Sequence, residues 1–358
     1  MLKNFTIKNY KSIKALELKD LNRVNLFIGH NNAGKTNILE AILLYATRFN
    51  LNSIIQINDQ RIERAISPRL IERGALTNLC LPLAPHRSIL SLREGIELKS
   101  DQGPVLLQQV KVIPMVREEL IIHGYRPFRV DEVNGHGVPR VGIPTEAEVQ
   151  YLKLTYEPST NRPCIYVNCA NKQISKLKEY WDDIVLASNT DSMIKALQII
   201  DPGIEDVAII SHGIDNQFTP YVKIEGRFFP LFSMGDGLVH IFNIMLALAN
   251  AKNGILLLDE MENGLHIRTL EKLWGVVNDL SKQWNVQVFV TTHSNDCIKA
   301  FSENSREEGT LYMINHENGE TSYRTRNFKI VETLLADNID IRDYTNEDKS
   351  EDDSQNIE

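Results

Sequence analysis

The apolar residues of this chain follow two different strand patterns. Residues 2–8 and 14–19 alternate apolar and polar side chains, which predicts two paired strands joined by a tight turn around residues 9–11. Residues 24–28 (VNLFI), 254–259 (GILLLD) and 286–291 (VQVFVT) are instead nearly unbroken apolar runs. Such runs predict neighbouring strands of a parallel sheet that is covered on both faces.

Helical spacing appears between these strands. Residues 35–47 place apolar side chains on one face, and further helices are predicted at 173–186, 190–200, 237–251 and 267–283. Short strands are predicted at 206–211, 220–225 and 227–231. The alternation predicts an α/β fold with a mixed sheet and N-terminal antiparallel strands.

The middle and the end of the chain differ from this core. Ten of the 13 prolines lie between residues 68 and 163, where no clear period is present. We therefore predict a core formed by residues 1–50 and 190–345, and an insertion or lid subdomain over 51–189. Residues 346–358 hold six acidic residues and one lysine, which predicts a disordered acidic tail.

Charge and hydropathy exclude some classes of function. The net charge is −8, of which the tail carries −5, so the body is not a generally basic nucleic-acid binder. No apolar run approaches the roughly 18 residues of a membrane span, and we expect a cytoplasmic protein without membrane contact. One basic cluster is either a solvated face or a site for DNA, RNA or an acidic partner. It contains Arg61, Arg64, Arg69, Arg73, Arg87 and Arg93.

Residues 29–36 (GHNNAGKT) match the phosphate-binding pattern G-x-x-x-x-G-K-[ST] between a predicted strand and a predicted helix. The glycines let backbone N–H groups close around phosphate oxygens, and the helix contributes its positive end. Lys35 would reach the β- and γ-phosphates, and the Thr36 hydroxyl would bind Mg²⁺. The expected cofactors are ATP and Mg²⁺.

Acidic residues and a histidine follow the two later apolar strands. Asp259 ends one strand, where it would hold the Mg²⁺ shell beside the phosphate loop, and Glu260 would activate the attacking water. His293, just past the next strand, would contact the γ-phosphate. Acidic residues and a histidine after strands are common, and they indicate a nucleotide site here because the phosphate-loop sequence precedes them.

A second candidate anion site precedes the helix at 237–251. In residues 232–237 (FSMGDG), Ser233 and Gly235 lie at a helix N-terminus. Locally this is also the pattern of an ordinary helix cap. As a nucleotide site it would face ATP held by another subunit, because one domain needs only one phosphate loop.

Together, the N-terminal segment through residue 42, FSMGDGL, LLLDEMENGLH and TTHS resemble ABC-type ATPases of the structural-maintenance-of-chromosomes (SMC) and RecF-like branch. They resemble more strongly still the stand-alone bacterial ATPases grouped with the overcoming-lysogenization-defect proteins. In that family the motifs are Walker A, the signature motif, Walker B and the switch histidine. Met234 replaces the signature glycine. The resemblance covers about residues 1–47 and 190–345.

The resemblance implies an ATPase that works as a homodimer or higher oligomer. The nucleotide-binding residues would be Gly29, Asn31, Asn32, Ala33, Gly34, Lys35, Thr36, Asn37, Ser233 and Gly235. The catalytic residues would be Lys35, Glu260 and His293, and the metal ligands Thr36 and Asp259.

The same resemblance suggests what the ATPase controls. About 65 residues follow His293, too few for the TOPRIM nuclease domain of those relatives, so a separate effector such as a TOPRIM-type nuclease in an antiphage pair is expected. The alternatives are a RecF-like clamp on DNA ends or gaps, with the arginines of 61–93 along the DNA, and a transporter ATPase. The N-terminal strand pair and the insertion argue against the transporter.

Overall fold

The computed structural model describes residues 1–60, 83, 94–112, 126–127, 149–156, 162–169, 177–212, 217–337 and 339–342. Its strands are β1 Phe5–Tyr10, β2 Ile13–Leu18, β3 Val24–Ile28, β4 Ile96–Ser100, β5 Gly103–Val112, β6 Arg126–Pro127, β7 Val149–Tyr156, β8 Cys164–Asn168, β9 Ile204–His212, β10 Gln217–Ile224, β11 Arg227–Pro230, β12 Ile255–Asp259, β13 Gln287–Thr291, β14 Gly309–Glu317 and β15 Glu320–Thr325. Its helices are α1 Lys35–Ala46, α2 Leu51–Gln60, α3 Leu177–Leu186, α4 Thr190–Leu197, α5 Asp236–Asn250, α6 Ile267–Gln283, α7 Asn295–Asn304 and α8 Phe328–Ala336.

The sheet that carries the predicted motifs has the order β15-β14-β3-β13-β12-β8. All its neighbouring pairs are parallel except β14–β15, which is antiparallel. Both faces are buried: Leu256 and Leu258 of β12 pack into one hydrophobic core, and Leu257 packs into the other. Burial on both faces explains why β3, β12 and β13 are continuous apolar runs. The predicted mixed-sheet α/β fold is confirmed.

A second, antiparallel sheet has the order β2-β1-β4-β5-β7-β6. The predicted N-terminal strand pair is present, and its register pairs Tyr10 with Ile13 across a tight turn. Lys11 in that turn has a φ of 49°, a left-handed conformation that ends the strand. Helix α1 lies between the two large sheets, contacting β1 and β4 on one side and β8, β12 and β13 on the other. This sandwich fixes the start of α1 relative to the parallel sheet.

A three-stranded antiparallel sheet, β11-β10-β9, leads into α5. A 3₁₀ turn, Leu231–Ser233, connects β11 to the helix. From Leu238 to Leu248 every residue of α5 is buried. Because this stretch is buried all round, the helix packs in the interior, and its exposed residue is Asp236 at the N-terminal end.

Segment 51–189, predicted as an insertion, contributes strands to both large sheets. β4, β5 and β7 extend the antiparallel sheet, and β8 forms the edge of the parallel sheet beside β12. The division of the chain into core and insertion stays a prediction. The six arginines of 61–93 and the acidic tail 346–358 lie outside the residues that the structure describes. No helix within the described ranges has the length and apolar character needed to cross a bilayer.

Candidate functional site

Three segments meet at the carboxyl edge of the parallel sheet. The phosphate-loop sequence follows β3, Asp259 is the last residue of β12, and Thr291 ends β13 two residues before His293. β13 lies between β3 and β12 and is parallel to both, so the three strand ends lie side by side. Ligands of α/β sheets bind at this edge. The fold thus brings the predicted Walker A, Walker B and histidine motifs together.

The shape of the loop over residues 29–34 depends on its glycines. Gly29 has a φ of 147°, and a Cβ atom there would lie 2.3 Å from the backbone oxygen of Ile314. Gly34 has a φ of 96° and precedes α1, which has no side-chain cap. The first amides of an uncapped helix need an outside acceptor, such as a phosphate or water.

Lys35 is folded back onto this loop. Its ammonium donates to the backbone oxygens of Gly29, at 2.7 Å, and His30, at 2.9 Å. The side chain is only 4 % exposed, and burial lowers its pKa to about 8. Both of these hydrogen-bond acceptors are neutral carbonyls, and the nearby charge of Asp259 only partly opposes the effect of burial, so the site fits a ligand that supplies further negative charge.

Asp259 accepts three hydroxyl hydrogen bonds. Thr291 donates to its Oδ1 at 2.5 Å, Thr36 donates to the same oxygen at 3.1 Å, and Tyr166 donates to Oδ2 at 3.0 Å. Burial raises the pKa of Asp259, against the opposite effect of these hydroxyls. The ionised carboxylate therefore benefits from a cation at this position.

The residues present fit Mg²⁺ held together with phosphates. Thr36 and Asp259 offer two hard oxygen ligands next to each other. Within the described ranges, no group of three or more His, Cys, Asp or Glu residues could hold a metal ion. Mg²⁺ commonly uses one or two protein ligands and takes the rest from substrate phosphates and water, so a dedicated cage is not needed.

Glu260 and His293 lie close together across the site. Glu260 Oε1 is 3.9 Å from His293 Nε2, and Glu260 Oε2 accepts from the Asn263 amide at 3.1 Å. Glu260 has a φ of 58°, in the left-handed region that residues with a side chain adopt less often. Burial, followed by the charge of Lys35, lowers the pKa of His293, so the imidazole is neutral at pH 7.

A cavity of about 600 Å³ opens over the loop, large enough for a nucleotide. Most predicted site residues line it, but Gly29 and Asp259 lie behind its surface. The lining consists of Ser12, Asn31, Asn32, Ala33, Gly34, Lys35, Thr36, Asn37, Glu260 and His293. The Asn37 amide donates to the Ser12 hydroxyl at 2.8 Å, which ties the β1–β2 turn to the start of α1.

Ser233 and Gly235 lie apart from this cavity. The Ser233 hydroxyl donates to the backbone oxygen of Pro230 at 2.7 Å on an exposed surface. Gly235 has a φ of 99° at the N-terminus of α5, and a Cβ there would meet no atom within 4 Å. Within one chain, Ser233 and Gly235 do not line the cavity over the phosphate loop. Their contact with ATP bound to a second subunit stays a prediction.

Several residues at the site were not predicted. Thr291 could have been predicted from the sequence, because it is the first threonine of the TTHS motif. Tyr166 lies on β8, in a segment without clear strand signals, and Ser12 lies in a turn that gave no chemical signal. Their places depend on strand pairing and chain packing over long sequence separations.

Two protein-family models match the chain. One, described as "AAA domain, putative AbiEii toxin, Type IV TA system", matches residues 127–296. The other, described as "AAA ATPase domain", matches residues 1–70. Together they include the phosphate loop, Ser233, Asp259, Glu260 and His293.

Curated relatives match a shorter part of the chain. The DNA replication and repair protein RecF of Rickettsia felis is 52 % identical over 44 residues, which is 12 % of this chain and 12 % of RecF. RecF of Listeria welshimeri is 32 % identical over 85 residues, 23 % of each protein. The chain therefore spans less than a quarter of the length of these relatives.

One solved structure is similar in fold over nearly the whole chain. The SMC head solved bound to the C-winged helix domain of ScpA aligns with a TM-score of 0.52 and 12 % identity. The alignment covers 92 % of this chain and 99 % of the SMC head. At this identity the likeness describes the fold alone.

Proposed function

We propose, from the premise that this chain is an ABC-type ATPase of the RecF- and SMC-like kind, that it is an ATP-driven switch. Two copies would close around two ATP molecules and reopen after hydrolysis. The observation that carries this proposal is the cavity that Lys35, Thr36, Glu260 and His293 line together. Those are the group types that phosphate binding and water activation need.

Each residue at the cavity has a proposed role. Lys35 would leave the loop carbonyls to bind the β- and γ-phosphates. Thr36 and Asp259 would hold Mg²⁺, which would supply positive charge against the phosphates. Glu260 accepts a proton from the attacking water. His293, neutral and 3.9 Å from Glu260, hydrogen-bonds the γ-phosphate. The amides of residues 31–37 bind phosphate oxygens.

The proposed dimer uses the surface around Ser233. Phe228, Phe229 and Phe232 are exposed by 47 %, 39 % and 47 %, close in sequence to Ser233 and Gly235. Exposed aromatic residues in a group are typical of protein interfaces. In the proposed dimer they pack against the second copy while Ser233 faces its bound ATP.

The switch would act on a separate effector, a nuclease of a bacterial antiphage pair. The matched family description names a toxin of a toxin–antitoxin system, which supports a two-component defence role. Co-purification with the product of an adjacent gene tests this part. Full protection against phage by this chain alone contradicts it.

The test of the switch is the Glu260→Gln variant. Loss of the proton acceptor should lower ATP turnover by about 100-fold or more while ATP binding persists. Light scattering should then find a stable dimer of the 40.8 kDa chain with ATP. Glu307→Gln, at a glutamate 89 % exposed, is the matched control. Unchanged turnover in Glu260→Gln removes Glu260 from its role.

The matches to RecF support a second candidate, a clamp that closes on DNA ends or gaps. It predicts ATP-dependent, salt-sensitive DNA binding that is lost on changing Arg69 and Arg73. These two arginines lie outside the described residues. DNA binding that is indifferent to ATP counts against this candidate.

A further inference from the structure

Both backbone polar groups of His293 are held by charged side chains from other segments. The His293 N–H donates to Glu262 Oε1 at 2.7 Å, from the loop after β12. The His293 carbonyl accepts from Arg342 Nη1 at 2.9 Å, from a segment 49 residues further along the chain. The peptide groups on the two sides of the histidine are therefore fixed independently.

Arg342 is itself held firmly. Asp340 accepts from its Nε at 2.7 Å and from its Nη2 at 2.6 Å, and Nη2 also lies 3.4 Å from Asn295 Oδ1. The preceding residue, Ile341, is 1 % exposed and packs into the main hydrophobic core. The guanidinium is planar, so two bonds to Asp340 orient Nη1 toward His293.

The segment also lies close to the phosphate-binding groups. The positive charge of Arg342 is one of the smaller contributions that lower the pKa of Lys35 and of His293, burial being the largest for both. Interactions with Arg342 lower the pKa of Asp340, and the charge of His30 in the phosphate loop contributes to the same shift. The Asp340–Arg342 pair does not line the cavity, but it is near enough to Lys35, His293 and His30 to interact with them electrostatically.

We propose that Arg342 is a positioning residue, which holds the loop after β13 through the His293 carbonyl and thereby keeps the imidazole next to Glu260. This inference rests on the proposed ATPase function and deepens it. Glu262 acts on the same loop from the opposite side. The C-terminal segment is thus coupled to the step in which His293 meets the γ-phosphate, and a change in that segment alters hydrolysis.

The test is a double-mutant cycle between Arg342 and His293, read by steady-state ATP hydrolysis. Arg342→Gln should lower kcat about tenfold, the effect expected on losing one hydrogen bond from a charged donor, with KM changed by less than about twofold. In the His293→Ala background, Arg342→Gln should change kcat by less than about twofold. Arg342→Lys keeps the charge without the fork and should lie between Arg342→Gln and the wild type.

Arg306→Gln is the matched control, because Arg306 also pairs with a carboxylate, Glu332, but on an exposed surface. It should leave kcat unchanged. Full additivity of Arg342→Gln with His293→Ala, or an equal loss in Arg306→Gln, overturns the inference. If Arg342→Gln does not fold, the same cycle with Arg342→Lys decides in the same way. If the wild type hydrolyses ATP and Arg342→Gln has the same kcat, only the inference about Arg342 is contradicted. If the folded wild type does not hydrolyse ATP, the proposed function itself is contradicted.

Discussion

Replacing Lys35 by methionine should abolish nucleotide binding and yet stabilise the fold. Lys35 is 4 % exposed, and burial lowers the pKa of its ammonium from 10.5 to about 8. That displacement corresponds to a cost of about 3 kcal/mol for keeping the charge in the folded state at pH 7. Methionine is similar in length, carries no charge and removes this cost.

Part of the gain is offset by lost hydrogen bonds. Lys35 donates to two backbone carbonyls, and each bond is worth about 1 kcal/mol net. The free energy of unfolding should therefore rise by about 1 kcal/mol in Lys35→Met at pH 7. The folded-state pKa is lower than the unfolded-state value, so the cost of the charge is complete below about pH 8. It disappears as the pH rises toward 10.5, and the advantage of methionine should disappear with it.

Urea unfolding at pH 7 and pH 10, without nucleotide, measures both expectations. Lys252→Met, at an exposed lysine, should be near neutral at both values. A Lys35→Met protein that is less stable than the wild type by more than about 1 kcal/mol at pH 7 refutes the reasoning. The reasoning is also refuted if Lys35→Met is more stable than the wild type by the same amount at pH 10 as at pH 7.

Three further changes test other parts of the structure. Lys11→Met should lower the free energy of unfolding by about 3 kcal/mol, because Lys11 is 2.7 Å from Glu40, whose side chain is 1 % exposed; no loss in urea unfolding contradicts this. Gly29→Ala should cost about 2–4 kcal/mol and weaken ATP binding, since its Cβ would lie 2.3 Å from a backbone oxygen; wild-type affinity and melting temperature contradict it. Burial lowers the pKa of His240 from 6.5, so the wild type should lose stability relative to His240→Gln as the pH falls below about 6.5. A difference in free energy of unfolding between the two proteins that is the same at pH 7.5 and pH 5.5 contradicts this.

The sequence was informative where one local pattern carried both structure and chemistry. The strand β3 has the predicted limits, and α1 ends one residue before the predicted Thr47. β12 and β13 each begin one residue later than predicted. Their apolar runs reflect burial on both faces, and the residues after them fall at one sheet edge by topology. The convergence of the phosphate loop, Asp259 and His293 therefore followed from the sequence.

Other parts of the site depend on distant pairing. β8 carries Tyr166 to Asp259, but its five residues directly follow Pro163 and give no strong period. Arg342 lies near the end of the predicted core, where no motif marked it, and it reaches His293 across 49 residues of sequence. The limits of β1 and β2 differ from the predicted ones because the tight turn begins at Lys11, after Tyr10. Such contacts are fixed by packing rather than by local propensity.

Calorimetric titration of the purified chain with ATP tests the central claim most directly. The wild type should bind ATP with saturation in the presence of Mg²⁺, and affinity should fall sharply with a chelator and in Lys35→Met. A folded wild-type protein without magnesium-dependent affinity for ATP contradicts the account.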